Sequence, residues 1–169
     1  MKDKANSPDT QQEADSLRSS CQSLLLSTVN KEGFPEISYA PYVEAESKFY
    51  IFISGLAAHT ENLLESRVAS IMFIEDESLA NHAFSRKRIT YLCEATCISR
   101  DTDSFDNLLD RFQDQFGKLI QTLRGLGDFQ LFELTPSNGR YVAGFGKTFE
   151  IECSDNQYQQ ITETSLKSR

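Results

Sequence analysis

Between Arg88 and Ile98 the side chains alternate. Ile89, Tyr91, Cys93, Ala95 and Cys97 fall on one parity, and Thr90, Glu94 and Thr96 on the other. Successive side chains of a strand point to opposite faces, so this period of two predicts a long strand and excludes a helix. Such a strand must pair its backbone N–H and C=O groups with neighbours, and strand-like neighbours stand on both sides of it. Leu24–Val29 is a buried-strand run. Asn30-Lys31-Glu32-Gly33 is turn chemistry, with Gly33 able to take a positive φ. Pro35 opens a strand containing Ile37, Tyr39 and Val43, which completes a hairpin. After a polar turn at Glu44 to Lys48, Phe49–Ile53 is a third strand rich in aromatic and β-branched residues, ended by Gly55. Ala69–Ile74 is a fourth. Beyond the long fifth strand, Phe129–Leu134 is a strand, Thr135-Pro136-Ser137-Asn138-Gly139 a turn, and Tyr141–Phe145 and Thr148–Ile151 finish the sheet.

Helical spacing occurs in fewer places. Ser7-Pro8 reads as an N-cap followed by proline at the first helical position, with Thr10 and Glu13 as an alternative capping box. The helix runs to about Ser20 with a stripe of Ala14, Leu17 and Cys21. His59 to Glu65 is a short helix anchored by Leu63 and Leu64. Glu75 to Ala83 is an acidic, short helical link. Phe105, Leu108, Leu109, Phe112, Phe116, Leu119, Ile120 and Leu123 keep helical spacing over five turns, capped by Asp101 or Asp103 and stopped by Gly125 and Gly127. Strands at hairpin spacing and one strong late helix predict a mostly β, α+β chain: an antiparallel barrel with helices packed outside. The expected organisation is a disordered start over residues 1 to 6, an N-terminal tail and short helix over 1–22, a barrel domain over 23–152 and a polar, loosely ordered C-terminal tail over 153–169.

Composition narrows the partners. The chain has 169 residues, a formal net charge of −8 and a pI near 4.8, so a polyanion such as duplex DNA is repelled by the molecule as a whole. No apolar stretch approaches the roughly 20 residues of a membrane span. The start has no signal-peptide core. The expected protein is soluble and cytoplasmic, with no nucleic-acid or membrane partner. Its four cysteines, Cys21, Cys93, Cys97 and Cys153, form no CxxC pair and are expected to stay reduced. Cys93 and Cys97 share a sheet face and are expected to serve as small apolar residues. The two histidines, His59 and His82, have no partners at zinc-ligand spacing. GxSxG, GxxxxGK[ST] and GxGxxG are absent, and Gly144-Phe145-Gly146 reads as a turn.

Two features invite chemistry. The triplet Arg86-Lys87-Arg88 stands in an acidic chain directly before the long strand. It is either a solvated edge or a cationic lip for phosphates or carboxylates, because arginine supplies bidentate donors. Three adjacent cations repel one another, and an anion would relieve that cost. His59, beside Thr60, Glu61 and Asn62, is either a surface helix start or a ligand-binding residue.

Several stretches, in order, resemble the pyridoxamine-phosphate-oxidase-like, FMN-binding split-barrel superfamily, and within it the haem-utilisation proteins of the HugZ/HutZ type. They are Leu24–Val29 with Gly33-Phe34-Pro35, Ser38-Tyr39-Ala40-Pro41-Tyr42, and His59 with Asn62-Leu63. Further on come Ser70-Ile71-Met72 with Ile74-Glu75-Asp76-Glu77, Phe84 with Arg86-Lys87-Arg88, Asp128-Phe129 with Leu131-Phe132, and Gly144-Phe145-Gly146. The resemblance implies a homodimer of split barrels with a cleft at the interface, holding FMN in flavin-binding relatives and haem in haem-utilisation members, some of which degrade it. It implies that Arg88, with Arg86 and Lys87, is a basic cofactor-binding residue. It implies that Asp128 is an acid supporting the axial ligand across the dimer, and that His59 is a family histidine other than the axial one. Two departures stand out. Ala57-Ala58-His59 lacks the cationic phosphate grip of flavin-binding relatives, which argues against tight FMN binding. The segment from Cys153 to Arg169 has no histidine where the family carries its axial ligand. The expected function is therefore haem binding in haem or iron utilisation. An FMN-dependent oxidoreductase and a non-enzymatic tetrapyrrole-binding barrel are the alternatives.

Overall fold

A computed structural model of the chain describes residues 8–162. The expected disorder of residues 1 to 6 and the Ser7 cap lie outside that range. In chain order the elements are α1 (Pro8–Ser20), β1 (Ser23–Val29), β2 (Pro35–Ala45), β3 (Lys48–Ser54), α2 (Ala58–Ser66), β4 (Val68–Ile74), β5 (Arg88–Ile98), α3 (Asp103–Phe116), α4 (Leu119–Arg124), β6 (Phe129–Gly144), β7 (Lys147–Glu152) and β8 (Gln157–Gln160). The hydrogen-bonded order is β3-β2-β1-β4-β5-β6-β7-β8, and β3 pairs again with β6. Six strands thereby close into an antiparallel barrel, and β7 and β8 extend from β6. This is the predicted fold class.

The chain divides into two compact units. One comprises Ser23–Ser70 and Cys93–Thr135. Within it β1 and β2 form the predicted hairpin, Ser23 facing Pro41 and Val29 facing Pro35, with Gly33 at φ +86° in the turn. The β3–β6 pairing runs from Phe49 opposite Leu134 to Ser54 opposite Phe129. Tyr50, Phe52 and Leu131 pack with Val43 against Phe105, Leu108, Leu109, Phe112 and Ile120. The predicted five-turn helix is two helices. Gly117, at φ +77° and ψ −159°, lets the chain turn where a side chain would be strained, and Arg124 ties α4 back to α3 through Asp106 and, at 2.8 Å, Asp110. Thr102, not Asp101 or Asp103, caps α3 by accepting the Phe105 N–H. In α2 it is Leu63 that is buried. Leu64 faces outward, and the inward places beside Leu63 go to Thr60 and Asn62.

The other unit comprises the residues up to Gln22, Ile71–Leu92 and those from Pro136 onward. Ala14 and Leu17 of α1 are buried as the stripe predicts, and Arg18 joins α1 to β5 by donating to the Tyr91 hydroxyl at 3.1 Å. The expected helix over Glu75 to Ala83 is absent. Turns fill that stretch, followed by a single 3-10 turn at Ala83–Ser85. The predicted turn at Thr135–Gly139 is also absent, because β6 runs straight through it. Its first half pairs with β3 and its second half, from Asn138, with β7. Pro136 sits between the two registers, where its missing N–H costs neither ladder a bond. From Cys153 onward the expected loose tail includes β8 instead, with Tyr158 buried opposite Ile151. The four cysteines are free. Cys93 is buried as expected, whereas Cys97 lies where β5 emerges and is exposed.

Two substitutions test this packing. A Cβ on Gly139 would lie 2.6 Å from the buried Tyr91 ring and 2.9 Å from the Thr90 carbonyl. Gly139→Ala is therefore expected to destabilise the fold by roughly 1–3 kcal/mol, the range for overpacking, in urea unfolding. Glu133 is the second. Burial pushes its carboxyl up, but the Lys48 ammonium at 2.7 Å, the Thr135 hydroxyl and the Tyr50 phenol together hold it below its ordinary 4.5. A depressed carboxyl stabilises the fold fully above its ordinary value and loses that contribution as pH falls on through its lower folded-state value. Glu133→Gln should cost about 1 kcal/mol at pH 7, allowing for screening at the part-exposed Lys48. The gap to wild type should close as the unfolding series is taken down through acid pH.

Candidate functional site

The predicted residues fall into two groups, one in each unit. His59 and Asp128 belong to the first, and the basic triplet to the second.

In the first unit the end of β3 organises both residues. The Ser54 hydroxyl donates to Asp128 Oδ2 at 2.7 Å and accepts the Leu56 N–H at 3.1 Å. The Gly55 N–H donates to the Asp128 carbonyl at 2.8 Å. A Cβ on Gly55 would stand 2.9 Å from that carbonyl oxygen, so glycine permits the approach. The Ser54 carbonyl accepts the Thr60 hydroxyl at 2.6 Å, which fixes the start of α2 beside His59. His59 Nδ1 lies 2.9 Å from the Ser38 hydroxyl. Burial lowers the imidazole pKa below its usual 6.5, so the ring is neutral at pH 7. Deeper in α2, Asn62 donates to Thr28 Oγ1 at 2.9 Å and to Glu36 Oε2 at 3.0 Å. The loop that carries Asp128 is braced by Arg100, whose guanidinium donates to the carbonyls of Arg124, Leu126 and Phe129 at 3.1, 2.6 and 2.6 Å and lies over the Phe105 ring.

In the second unit the three cations have different fates. Arg86 clasps the Glu75 carbonyl through Nε and Nη2, at 3.1 and 2.6 Å, and pairs with Glu77. Lys87 gives its backbone N–H to Glu75 Oε2 and sets its ammonium 3.8 Å from Glu13. Arg88 spends one N–H on the Arg86 carbonyl at 3.1 Å. Its other donors have no partner among the described residues. Beside Lys87 is an open groove of about 580 Å³ lined by Asp9, Glu13, Glu75 and Asp76. Among the described residues no cluster of His, Cys, Asp and Glu could hold a metal ion, and no helix is long and apolar enough to cross a membrane.

Ser54, Arg100 and Glu75 are absent from the sequence-based candidates. Their roles rest on partners distant in the chain, and nothing in their own neighbourhoods signals them.

Comparison with known proteins places the chain. Residues 10–143 match the family described as pyridoxamine 5'-phosphate oxidase. The heme oxygenase HutZ of Vibrio cholerae serotype O1 (strain ATCC 39315 / El Tor Inaba N16961) is 37% identical over 134 residues, 79% of this chain and 76% of that protein. The crystal structure of HutZ from Vibrio cholerae, described as a heme storage protein, superposes with a TM-score of 0.71 at 37% identity, covering 74% of this chain and 88% of that one. ChuZ of Campylobacter jejuni superposes with a TM-score of 0.85 at 34% identity, over 94% of this chain and 65% of its own. The closed barrel, the family match across most of the chain and the identity to HutZ agree: the chain belongs to the pyridoxamine 5'-phosphate oxidase family, in the company of its HutZ-type members.

Proposed function

We propose that this protein binds haem in haem or iron utilisation, as a cytoplasmic homodimer with haem at the subunit interface. The carrying observation is the 37% identity to HutZ over 79% of the chain. The family match, over residues 10–143, includes all five candidate residues.

The residues present suit the ligand. Haem is an apolar plate with two carboxylates, and it needs apolar cover and cationic donors. Arg88 supplies the donors. Among the described residues its guanidinium has a partner for one N–H, and such a group can receive a propionate bidentately. Arg86 and Lys87 hold the loop in place through Glu75, Glu77 and Glu13. In the other unit, His59, whose imidazole is neutral at pH 7, and the exposed Asp128 are the candidate polar groups. Haem, when bound, supplies the iron chemistry, and degradation of haem is the activity to look for.

The dimer is supported by the outer face of the β1–β2 ribbon. Ile37 is 75% exposed and Tyr39 67% exposed, and Val29 and Phe34 flank them. Val29, Ile37 and Tyr39 share one face of the hairpin by register and strand parity, and apolar side chains gathered on one exposed face suit burial by a partner. A second copy covers such a surface at the least cost in new sequence. Light scattering at micromolar concentration should return twice the 19.1 kDa chain mass. A monomer would remove the interfacial site.

Titration with hemin should give a shifted Soret band and saturate at micromolar or better affinity. FMN should bind weakly or not at all, since Ala57 and Ala58 place no cation at the start of α2. Arg88→Ala should weaken hemin binding by roughly 1–3 kcal/mol, the range for charge-assisted hydrogen bonds. Arg88→Lys should restore only part, because an ammonium cannot make the paired contact. Absence of saturable hemin binding, with tight FMN binding in its place, would make the protein a flavin oxidoreductase.

A further inference from the structure

We infer that Ser54 is a positioning residue for Asp128, fixing one carboxylate oxygen so that the other faces outward as a ready acceptor. The inference rests on the reading of Asp128 as part of the haem site.

Counting donors and acceptors settles the direction of the bond. A serine hydroxyl has one proton and two lone pairs. The Leu56 N–H occupies a lone pair at 3.1 Å, and the proton goes to Asp128 Oδ2 at 2.7 Å, since an ionised carboxylate only accepts. Oδ1 of Asp128 has no partner among the described residues, and the residue is exposed. It is thus free to accept one N–H or O–H from a bound group.

The rest of the loop removes other freedoms. Gly55 holds the Asp128 carbonyl, and Arg100 holds the carbonyls of Leu126 and Phe129 on either side. With the backbone fixed, the remaining motion of Asp128 is rotation of its side chain, and the Ser54 hydroxyl is the one described group that restrains it. Ser54 also receives the Thr60 hydroxyl and the Ala57 N–H on its carbonyl, so the same residue sets the start of the helix bearing His59. Those bonds belong to the backbone and survive Ser54→Ala. That substitution therefore removes the hydroxyl's bonds alone, and Ser54→Thr restores them in a strand position that tolerates a β-branched side chain.

The test has two arms. In the protein without haem, the side-chain carboxylate ¹³C resonance of Asp128 should move in Ser54→Ala and return toward wild type in Ser54→Thr. With hemin added, Ser54→Ala should shift the ferric spectrum in the same direction as Asp128→Ala and weaken binding roughly three- to tenfold, as for loss of one hydrogen bond. The double variant should be no worse than Asp128→Ala alone, the non-additivity expected of one unit. An unmoved Asp128 resonance in Ser54→Ala, or additive effects in the double variant, overturns the inference. A wild type that takes up no hemin overturns the haem reading instead, and the first arm still decides whether Ser54 sets Asp128.

Discussion

The pairing of β3 with the first half of β6 closes the barrel, and much of the first unit takes its position from that closure. Five consecutive residues of β3, Phe49–Ile53, are buried. A strand buried on both faces needs cover on both. The barrel interior takes Ile51, while α3 and α4 cover Tyr50 and Phe52. Each fully buried aromatic or aliphatic side chain contributes about 1.5–3 kcal/mol, so β3 is the costliest strand to misplace. A slip of one residue would exchange its two faces. The register that results puts Ser54 opposite Phe129, and Asp128 then falls within reach of the Ser54 hydroxyl and the Gly55 N–H. The local geometry at Asp128 is a consequence of barrel closure carried one residue past the end of the ladder.

This dependence separates what could be read from the sequence from what could not. The strands were legible because their signal is local: alternation in β5, a run of aromatic and β-branched residues in β3, turn chemistry at Gly33. Three of the differences concern competition between local and distant terms. The spacing of α3 and α4 is continuous, and a lone Gly117 is tolerated in many helices, so the break shows only once Arg124 is seen reaching Asp106 and Asp110. Pro136, Asn138 and Gly139 are turn residues by composition. They stay extended because β6 must pass from one partner strand to another, and a change of partner leaves no trace in the residues themselves. Leu64 and Asn62 reversed the usual order of burial, because Thr28 and Glu36 satisfy the amide of Asn62 and so offset the cost of burying it.

The basic triplet and His59 stand out by their own residue types and Asp128 by a family likeness, whereas the groups that hold them do not stand out at all. Ser54 and Asp128 are 74 positions apart, and Arg100 meets its carbonyls across 24 to 29 positions. No window along the chain contains both members of such pairs. A serine at the end of a strand and an arginine just after one are too ordinary to stand out.

The basic triplet shows how geometry sharpens a charge argument. Three adjacent cations in a chain of net charge −8 suggest a bound anion, because their mutual repulsion has to be offset. Much of that offset is internal. The Glu75 carbonyl and Glu77 engage Arg86, and Glu13 faces Lys87. Screening at this surface makes each such pair worth little, yet together they leave little unbalanced charge on those two residues. Arg86 then serves chiefly to close the loop between β4 and β5, and Lys87 to meet α1. Arg88 keeps guanidinium N–H groups without a partner among the described residues. Because it is the first residue of β5, its backbone is set by the ladder while its guanidinium remains available. The triplet thus divides into two cations that hold the loop and one arginine whose guanidinium has N–H groups unengaged among the described residues.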